Sequence, residues 1–86
     1  MTEKEVKLLG FEREHYVDTN ENGWADRYYY SYDIANGFGF ISCSDDEVVD
    51  GKWFVEFFDS DPAIRFTEFG EVQALINLIK SRIVNE

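Results

Sequence analysis

The chain has 86 residues, of which 18 are acidic and 8 are basic, and its formal net charge at pH 7 is −10. This length predicts a single domain over residues 1–86, and the charge argues against direct binding to nucleic acid or to anionic membranes, which requires clustered Lys and Arg. The single cysteine, Cys43, excludes an internal disulfide and a cysteine-based zinc cluster, while the aromatic fraction of 17% favours strands.

The N-terminal residues predict a short helix followed by a first strand. Thr2 and Glu5 have the spacing of a capping box, and Gly10 is a typical helix stop, so we expect a helix over residues 3–9. Residues 11–17, FEREHYV, lie between Gly10 and an Asp/Asn-rich segment, and these boundaries favour a strand.

The middle of the chain predicts an aromatic hairpin. Residues 27–34 alternate with a period of two, which is typical of a strand. The side chains on one face of this strand are those of Tyr28, Tyr30, Tyr32 and Ile34. Asn36-Gly37 separates it from a second strand at residues 38–43 and favours a type I′ turn, because both residues tolerate positive φ.

Two further strands are predicted after a polar connection that contains a second turn signal, Asp50-Gly51. Residues 52–58, KWFVEFF, alternate so that Trp53, Val55 and Phe57 share a face. Residues 63–66 follow a Pro-containing break and predict a short final strand.

The C-terminal segment changes to helical spacing. Its apolar positions are Phe69, Val72, Leu75, Ile76, Ile79 and Ile83. This spacing predicts an amphipathic helix with Thr67 as its N-cap, or a start at residue 71 because Gly70 costs about 1 kcal/mol inside a helix.

Together these elements predict an α+β fold. We expect an antiparallel β-meander of four to five strands, with the C-terminal amphipathic helix packed on one face and a short helix at the N-terminus. The other face of the sheet would remain in contact with water, and the polar or amphipathic residues expected there are Arg13, Tyr29, Ser31 and Glu56.

The segment VDTNENGWAD, residues 17–26, has the side-chain order of a calcium-loop opening. The oxygen-bearing side chains around its glycine are Asp18, Asn20, Asn22 and Asp26. Tyr29 stands where such a loop needs a bidentate glutamate, and the flanking residues predict strands rather than helices. We therefore interpret residues 18–26 as an Asx-rich hairpin connection, and a weak calcium site is the alternative.

The sequence does not assemble a catalytic constellation. His15 is the only histidine, and Cys43 is predicted in a different strand, where it is typical of a small buried hydrophobe. Gly37-x-Gly39 indicates a hairpin rather than a phosphate-binding loop, because no helix follows it. We expect a protein without enzymatic activity and without a cofactor.

An uneven charge distribution suggests a partner. Between Asp33 and Asp61 there are eight acidic residues and one basic residue, a balance of −7. We hypothesise a basic protein partner, for example a nucleic-acid-binding enzyme whose site is occluded by a surface that mimics DNA phosphates. The candidate contacts are Trp24, Tyr29, Asp45, Asp46, Glu47, Asp50, Trp53, Asp59 and Asp61, with the aromatic residues included on condition that they are exposed.

The triplet at residues 45–47 provides a test of this hypothesis, since its replacement by serine is expected to weaken binding and leave the fold intact. Solvated charged loops, which keep a small protein soluble, are the alternative interpretation of the acidic run.

The order LLGF, aromatic strands and FTEFGEVQALINLIKS resembles small uncharacterised proteins encoded by phages and prophages of Gram-positive bacteria. The resemblance spans most of the chain and carries no functional residues with it. It implies a mobile-element context, in which acidic proteins of this size include anti-restriction and anti-CRISPR inhibitors, and toxin-immunity or phage accessory proteins are alternatives. No segment has the pattern of a signal peptide or a transmembrane helix, so we expect a cytoplasmic protein, in the host cell if it is phage-encoded.

Overall fold

The computed structural model describes residues 1–20 and 23–84. Its elements are α1 (Glu3–Leu8), β1 (Glu12–Asn20), β2 (Gly23–Ala35), β3 (Phe38–Ser42), a 3-10 turn (Asp45–Glu47), β4 (Val55–Phe57), β5 (Arg65–Phe66) and α2 (Phe69–Ser81). The strands form one antiparallel sheet in the order β1-β2-β3-β4-β5, which confirms the predicted α+β meander.

The predicted capping box at the start of α1 is confirmed. The backbone N–H of Glu5 donates to Thr2 Oγ1 at 3.2 Å, and the N–H of Thr2 donates to Glu5 Oε1 at 2.8 Å. The helix ends at Leu8, and Gly10 then adopts a φ of +96°. This local geometry directs Val6 into the core, where it is fully buried.

The predicted hairpin between the first two strands is confirmed, but its connection is shorter than residues 18–26, because strand pairing continues through most of that segment. Asp18 pairs with Ala25 and Thr19 with Trp24, and residues 21 and 22 lie outside the described part of the chain. β3 pairs with β2 no further than Ser31, so the outer halves of β1 and β2 form a two-stranded ribbon. We define the ribbon as residues 16–20 and 23–27. It extends beyond the rest of the sheet, which is consistent with the elongated dimensions of the molecule, 50 × 27 × 24 Å.

Both predicted turns are present, but the type I′ form expected at Asn36-Gly37 is found at Asp50-Gly51 instead. At Asn36-Gly37 only the glycine has positive φ, +76°, and the β2–β3 register shifts between Asp33 and Ala35, so this hairpin does not have the type I′ form. At Asp50-Gly51 both residues have positive φ, 55° and 70°, and a hydrogen bond closes the turn. The type I′ geometry therefore lies at the second signal.

Both helices pack on the same face of the sheet, which we call the covered face. The buried core consists of Val6, Phe11, Tyr30, Phe40, Cys43, Trp53, Val55, Val72 and Ile76. The prediction that Tyr28, Tyr30 and Tyr32 share a face is confirmed, since all three contribute to this core or pack against it. Arg13 was expected on the wet face and lies on the covered face instead: it pairs with Tyr30, and its guanidinium carbon is 3.9 Å from the ring centroid of Tyr28.

α2 begins at Phe69 with Glu68 as its N-cap, so the predicted cap at Thr67 is wrong by one residue. Gly70 therefore lies in the first turn rather than in the helix interior. Val72 and Ile76 point from α2 into the core, as the apolar spacing predicted. In the part of the chain that the structure describes, neither helix is long and apolar enough to cross a membrane.

Tyr30 connects β2 to α1 and gives the fold a pH dependence. Its side chain is 1% exposed, and its hydroxyl donates to Glu3 Oε2 at 2.6 Å. Burial, and then this hydrogen bond, raise the pKa of Tyr30 from 10.0 to about 12. The unfolded chain releases this proton at lower pH than the folded chain does. The contribution of the protonated Tyr30 hydroxyl to the free energy of unfolding is therefore complete below pH 10 and is lost as the pH rises towards 12.

We expect Tyr30→Phe to be about 2 kcal/mol less stable than the wild type at neutral pH, because it removes one hydrogen bond to a charged group. Above pH 10 the gap should narrow, since only the wild type loses stability through this hydroxyl. Urea unfolding followed by circular dichroism at several pH values measures the gap. A constant gap across the alkaline range would contradict the assignment.

Candidate functional site

The face of the sheet opposite to both helices is covered by neither of them and is bordered by the 3-10 turn, and we call it the open face. One row of residues crosses all five strands on this face: Glu12, Ser31, Ile41, Glu56 and Arg65. Residues directly opposite each other on neighbouring strands share a face, so this row and the positions two residues away define the surface.

The open face is predominantly acidic. Its described strand residues include five carboxylates, Glu12, Glu14, Asp18, Asp33 and Glu56, and two guanidinium groups, Arg27 and Arg65. Both arginines already have acidic neighbours: Arg65 Nη2 lies 2.8 Å from Glu56 Oε2, and Arg27 Nε lies 3.8 Å from Asp18 Oδ2. The surface therefore offers an excess of carboxylates to any molecule that approaches it.

Three of these carboxylates lie together near the start of β1. Glu12, Glu14 and Asp33 border a depression of about 320 Å³ whose lining contains no basic residue. The hydroxyl of Ser31 donates to Glu14 Oε1 at 3.3 Å, which helps to place that carboxylate on the surface.

An apolar groove of about 480 Å³ occupies the centre of the open face. Its lining includes the aromatic or apolar side chains of Tyr16, Tyr29, Ile41 and Phe54, the carboxylates of Glu47 and Glu56, and the guanidinium group of Arg65. The rings of Tyr16 and Tyr29 have centroids 6.0 Å apart at an angle of 56°, and a 2.8 Å hydrogen bond joins the Tyr16 hydroxyl to Ser44 Oγ. The groove thus has fixed aromatic walls and carboxylates at its rim.

Cys43 lies at the bottom of this groove and is buried, as the sequence predicted. Burial raises the pKa of the Cys43 thiol, so the protonated form, which is a poor nucleophile, is favoured. His15 pairs with Tyr28 on the covered face, whereas Cys43 lines the groove of the open face, so His15 and Cys43 lie on opposite sides of the sheet. This placement does not provide a cysteine–histidine pair.

The three aromatic candidate residues differ in exposure and in location. Tyr29 lies half-buried in the groove, where a partner can reach its ring. Trp24 is 70% exposed on the ribbon, but it points to the side opposite to the groove. Trp53 is only 5% exposed and packs against the rings of Tyr28 and Tyr30, so its proposed role as a surface anchor is wrong.

The acidic triplet at residues 45–47 has a structural role. The N–H of Tyr28 donates to Asp45 Oδ1 at 3.1 Å, and the N–H of Ser44 donates to Glu47 Oε1 at 2.9 Å. Asp46 Oδ2 lies 3.9 Å from Arg27 Nε. The contacts of Asp45 and Asp46 hold the 3-10 turn against β2, so replacement of all three residues by serine is expected to lower the stability of the fold as well as to remove charge.

The remaining acidic candidates do not join the groove. Asp50 is exposed in the type I′ turn, while Asp59 and Asp61 are exposed in the β4–β5 connection. The type I′ turn precedes β4 and the β4–β5 connection follows it, so Asp50 lies at the opposite end of this strand from Asp59 and Asp61. Of the acidic run between residues 33 and 61, the structure brings only Glu47 and Glu56 to the groove.

Sequence reasoning missed Glu12 and Glu14, which lie outside that acidic run. The signal was present in EREHY, because a strand period of two places Glu12, Glu14 and Tyr16 on one face. Their relation to Asp33 and Tyr29 depends on the β1–β2 register, which the sequence of β1 alone does not specify.

The candidate calcium ligands do not converge in the described residues. Asp18 pairs with Ala25 and points to the open face, whereas Asp26 pairs with Val17 and points to the other face of the ribbon. The side chain of Asn20 and the whole of Asn22 lie outside the described part. Within residues 1–20 and 23–84 no group of three or more His, Cys, Asp or Glu side chains is suited to a metal ion. The calcium alternative remains a prediction that the placement of Asp18 and Asp26 does not support.

The chain was compared with protein-family models, with curated proteins and with solved structures. No significant match was found in any of the three comparisons. The resemblance to small phage-encoded proteins therefore stays a prediction.

Proposed function

We propose that this protein binds a basic polypeptide segment of another protein through its open face and has no enzymatic role of its own. The observation that carries this proposal is the apolar groove with carboxylates on two sides, on a sheet face that neither helix covers. Such a surface combines apolar area for affinity with charge for selection of the partner.

The carboxylates lie on both sides of the groove. Glu12, Glu14 and Asp33 are on the β1–β2 side, and Glu47 and Glu56 are at the opposite rim. Together with the net charge of −10, this arrangement attracts a cationic partner at long range and repels a second copy of the same chain. A basic protein is therefore the occupant that the electrostatics favour.

Proteins that bind nucleic acids are the partner class that best fits this surface. They carry clustered Lys and Arg for phosphate contacts, and carboxylates on a rigid sheet present negative charge to the same residues. Binding of this kind would occlude the partner's nucleic-acid site, as expected of an inhibitor encoded by a mobile element.

A fluorescently labelled peptide that contains basic and apolar residues provides a direct test by anisotropy. We expect Glu12→Gln/Glu14→Gln to weaken binding about 5-fold, which corresponds to roughly 0.5 kcal/mol for each exposed charge contact. Raising the salt from about 0.05 M to about 0.5 M should weaken wild-type binding further, because exposed charges are then screened.

The matched control is Glu68→Gln/Glu71→Gln, which changes the net charge equally but alters the N-terminal turn of α2. It is expected to bind the peptide almost as the wild type does. Equal loss in both double variants would mean that net charge alone attracts the peptide, and absence of binding by the wild type would refute the proposal.

Capture of a partner from bacterial lysate tests the partner class. A protein retained by the wild type but not by Glu12→Gln/Glu14→Gln should be released by added duplex DNA, because the two compete for the same basic surface. Retention that DNA does not affect would exclude the nucleic-acid-binding class.

A further inference from the structure

The geometry points to arginine, rather than lysine, as the side chain that the groove of the open face accepts from its partner. This inference rests on the proposed function and specifies its chemistry. It concerns the aromatic walls of the groove, whereas the proposed function depends on the carboxylates.

The chain already binds a guanidinium group in this manner at the edge of the groove. The guanidinium carbon of Arg65 lies 3.8 Å from the ring centroid of Phe54. Its Nε and Nη2 atoms each lie 2.8 Å from Glu56 Oε2. An aromatic face and a carboxylate therefore bind one cation on the open face, although Arg65 itself is exposed to solvent.

The neighbouring aromatic ring offers the same combination without a resident cation. Tyr29 lies opposite Glu14 in the β1–β2 pair, so their side chains are adjacent on the open face. Glu47 lines the same groove on the other side. Among the described residues, the cations found over aromatic rings contact Tyr28, Tyr30, Phe54 and Tyr32, and none contacts Tyr29. Its ring is available to a cation from a partner.

Chemistry then favours arginine over lysine at this position. A cation that stacks on the Tyr29 ring gives up the part of its hydration that would lie between the two groups. A guanidinium group is planar and weakly hydrated, and it can stack on a ring while its N–H groups reach a carboxylate. An ammonium group is compact and strongly hydrated, so it gains less from the same ring.

The test uses labelled peptides that are identical except that every cationic position carries arginine, lysine or the neutral isostere citrulline. We expect the arginine peptide to bind wild-type protein about fivefold more tightly than the lysine peptide, from one stacked guanidinium group. The citrulline peptide, which has lost its charge, should bind most weakly of all.

Variants locate the preference. Tyr29→Leu removes the ring and retains an apolar side chain, so the arginine-to-lysine ratio should fall towards one. Tyr29→Phe keeps the ring and should keep most of the preference. Phe58→Leu removes an exposed ring outside the groove, in the β4–β5 connection, and should leave the ratio unchanged.

Amide NMR of the wild type gives a readout that does not depend on any variant. The arginine peptide should shift the Tyr29 and Ile41 signals more strongly than the lysine peptide does, and the Phe58 signal should move with neither. Equal affinities for arginine and lysine, or a preference that survives in a folded Tyr29→Leu, would overturn the inference. If both peptides bind equally and Glu12→Gln/Glu14→Gln weakens them, the proposed function stands without it. If neither peptide binds, the proposed function itself fails.

Discussion

Gly39→Ala is expected to destabilise the protein by about 3 kcal/mol, at the upper end of what an added methylene group costs in a packed site. Gly39 is buried and pairs with Asp33, next to the register shift of β2. A Cβ atom there would clash with the backbone oxygen of Tyr32 and lie 3.1 Å from Asp33 Cα. Both are backbone atoms, so no side-chain rotation relieves the contact.

The matched control for this prediction is Gly70→Ala. No atom lies within 4 Å of a Cβ built at Gly70, and the residue is in the first turn of α2. Alanine should therefore be neutral or stabilise the protein by up to about 1 kcal/mol. Urea unfolding followed by circular dichroism compares the two variants, and equal stability in both would refute the role of close backbone approach at Gly39.

Phe40→Ala is expected to reduce the free energy of unfolding by about 3–5 kcal/mol, because it removes a buried ring and leaves a cavity. Phe40 is 1% exposed, and its ring stacks on that of Phe57 at a centroid distance of 4.8 Å. It also contacts the rings of Phe11 and Phe66, each at 6.1 Å. For a chain of 86 residues the total stability is roughly 4–13 kcal/mol, so a loss of this size is a substantial share of the whole.

Phe38→Ala is the control for ring loss at a solvated position. Phe38 lies on the same strand and the same face, and its ring also packs near Phe57 at 5.4 Å, but it is 43% exposed. We expect a loss of about 1 kcal/mol, since much of its surface remains in water in the folded state. A similar loss in both variants would show that Phe40 does not form the centre of the core. The midpoint of urea unfolding measures each effect.

The correct sequence predictions concern interactions between residues close in the chain. The capping box of Thr2 and Glu5 involves neighbours three residues apart, so its geometry follows from local spacing. The period of two in β2 similarly assigned Tyr28 and Tyr30 to the covered face. Such signals need no knowledge of a distant partner.

The incorrect predictions for Arg13 and Trp53 concern positions whose environment depends on pairing between distant segments. Arg13 is charged and sits on a strand, which favours solvent, yet its pairing opposite Tyr30 places it over aromatic rings of the covered face. The sequence predicted Trp53 as a possible surface anchor, but the β3–β4 pairing places its ring against that of Tyr28. The candidate site changed for the same reason, because the register of β1 against β2 brings Glu14 beside Tyr29.

The turns illustrate how a register shift overrides a dipeptide preference. Asn36-Gly37 and Asp50-Gly51 are both good type I′ sequences, but the irregularity between Asp33 and Ala35 changes the path of the chain into the first hairpin. The residue types indicated a turn in both places, and the adjoining strands determined its form.

The contrast between the two tryptophans gives the molecule two independent optical probes. Trp24 is 70% exposed on the ribbon, so a neutral quencher such as acrylamide reaches its indole in the folded state, and its emission reports on the ribbon. Trp53, at 5% exposure between aromatic rings, is shielded until the core opens. A change confined to the ribbon alters the quenching of Trp24, whereas loss of the core shifts the emission of Trp53. A single unlabelled sample therefore distinguishes the two events.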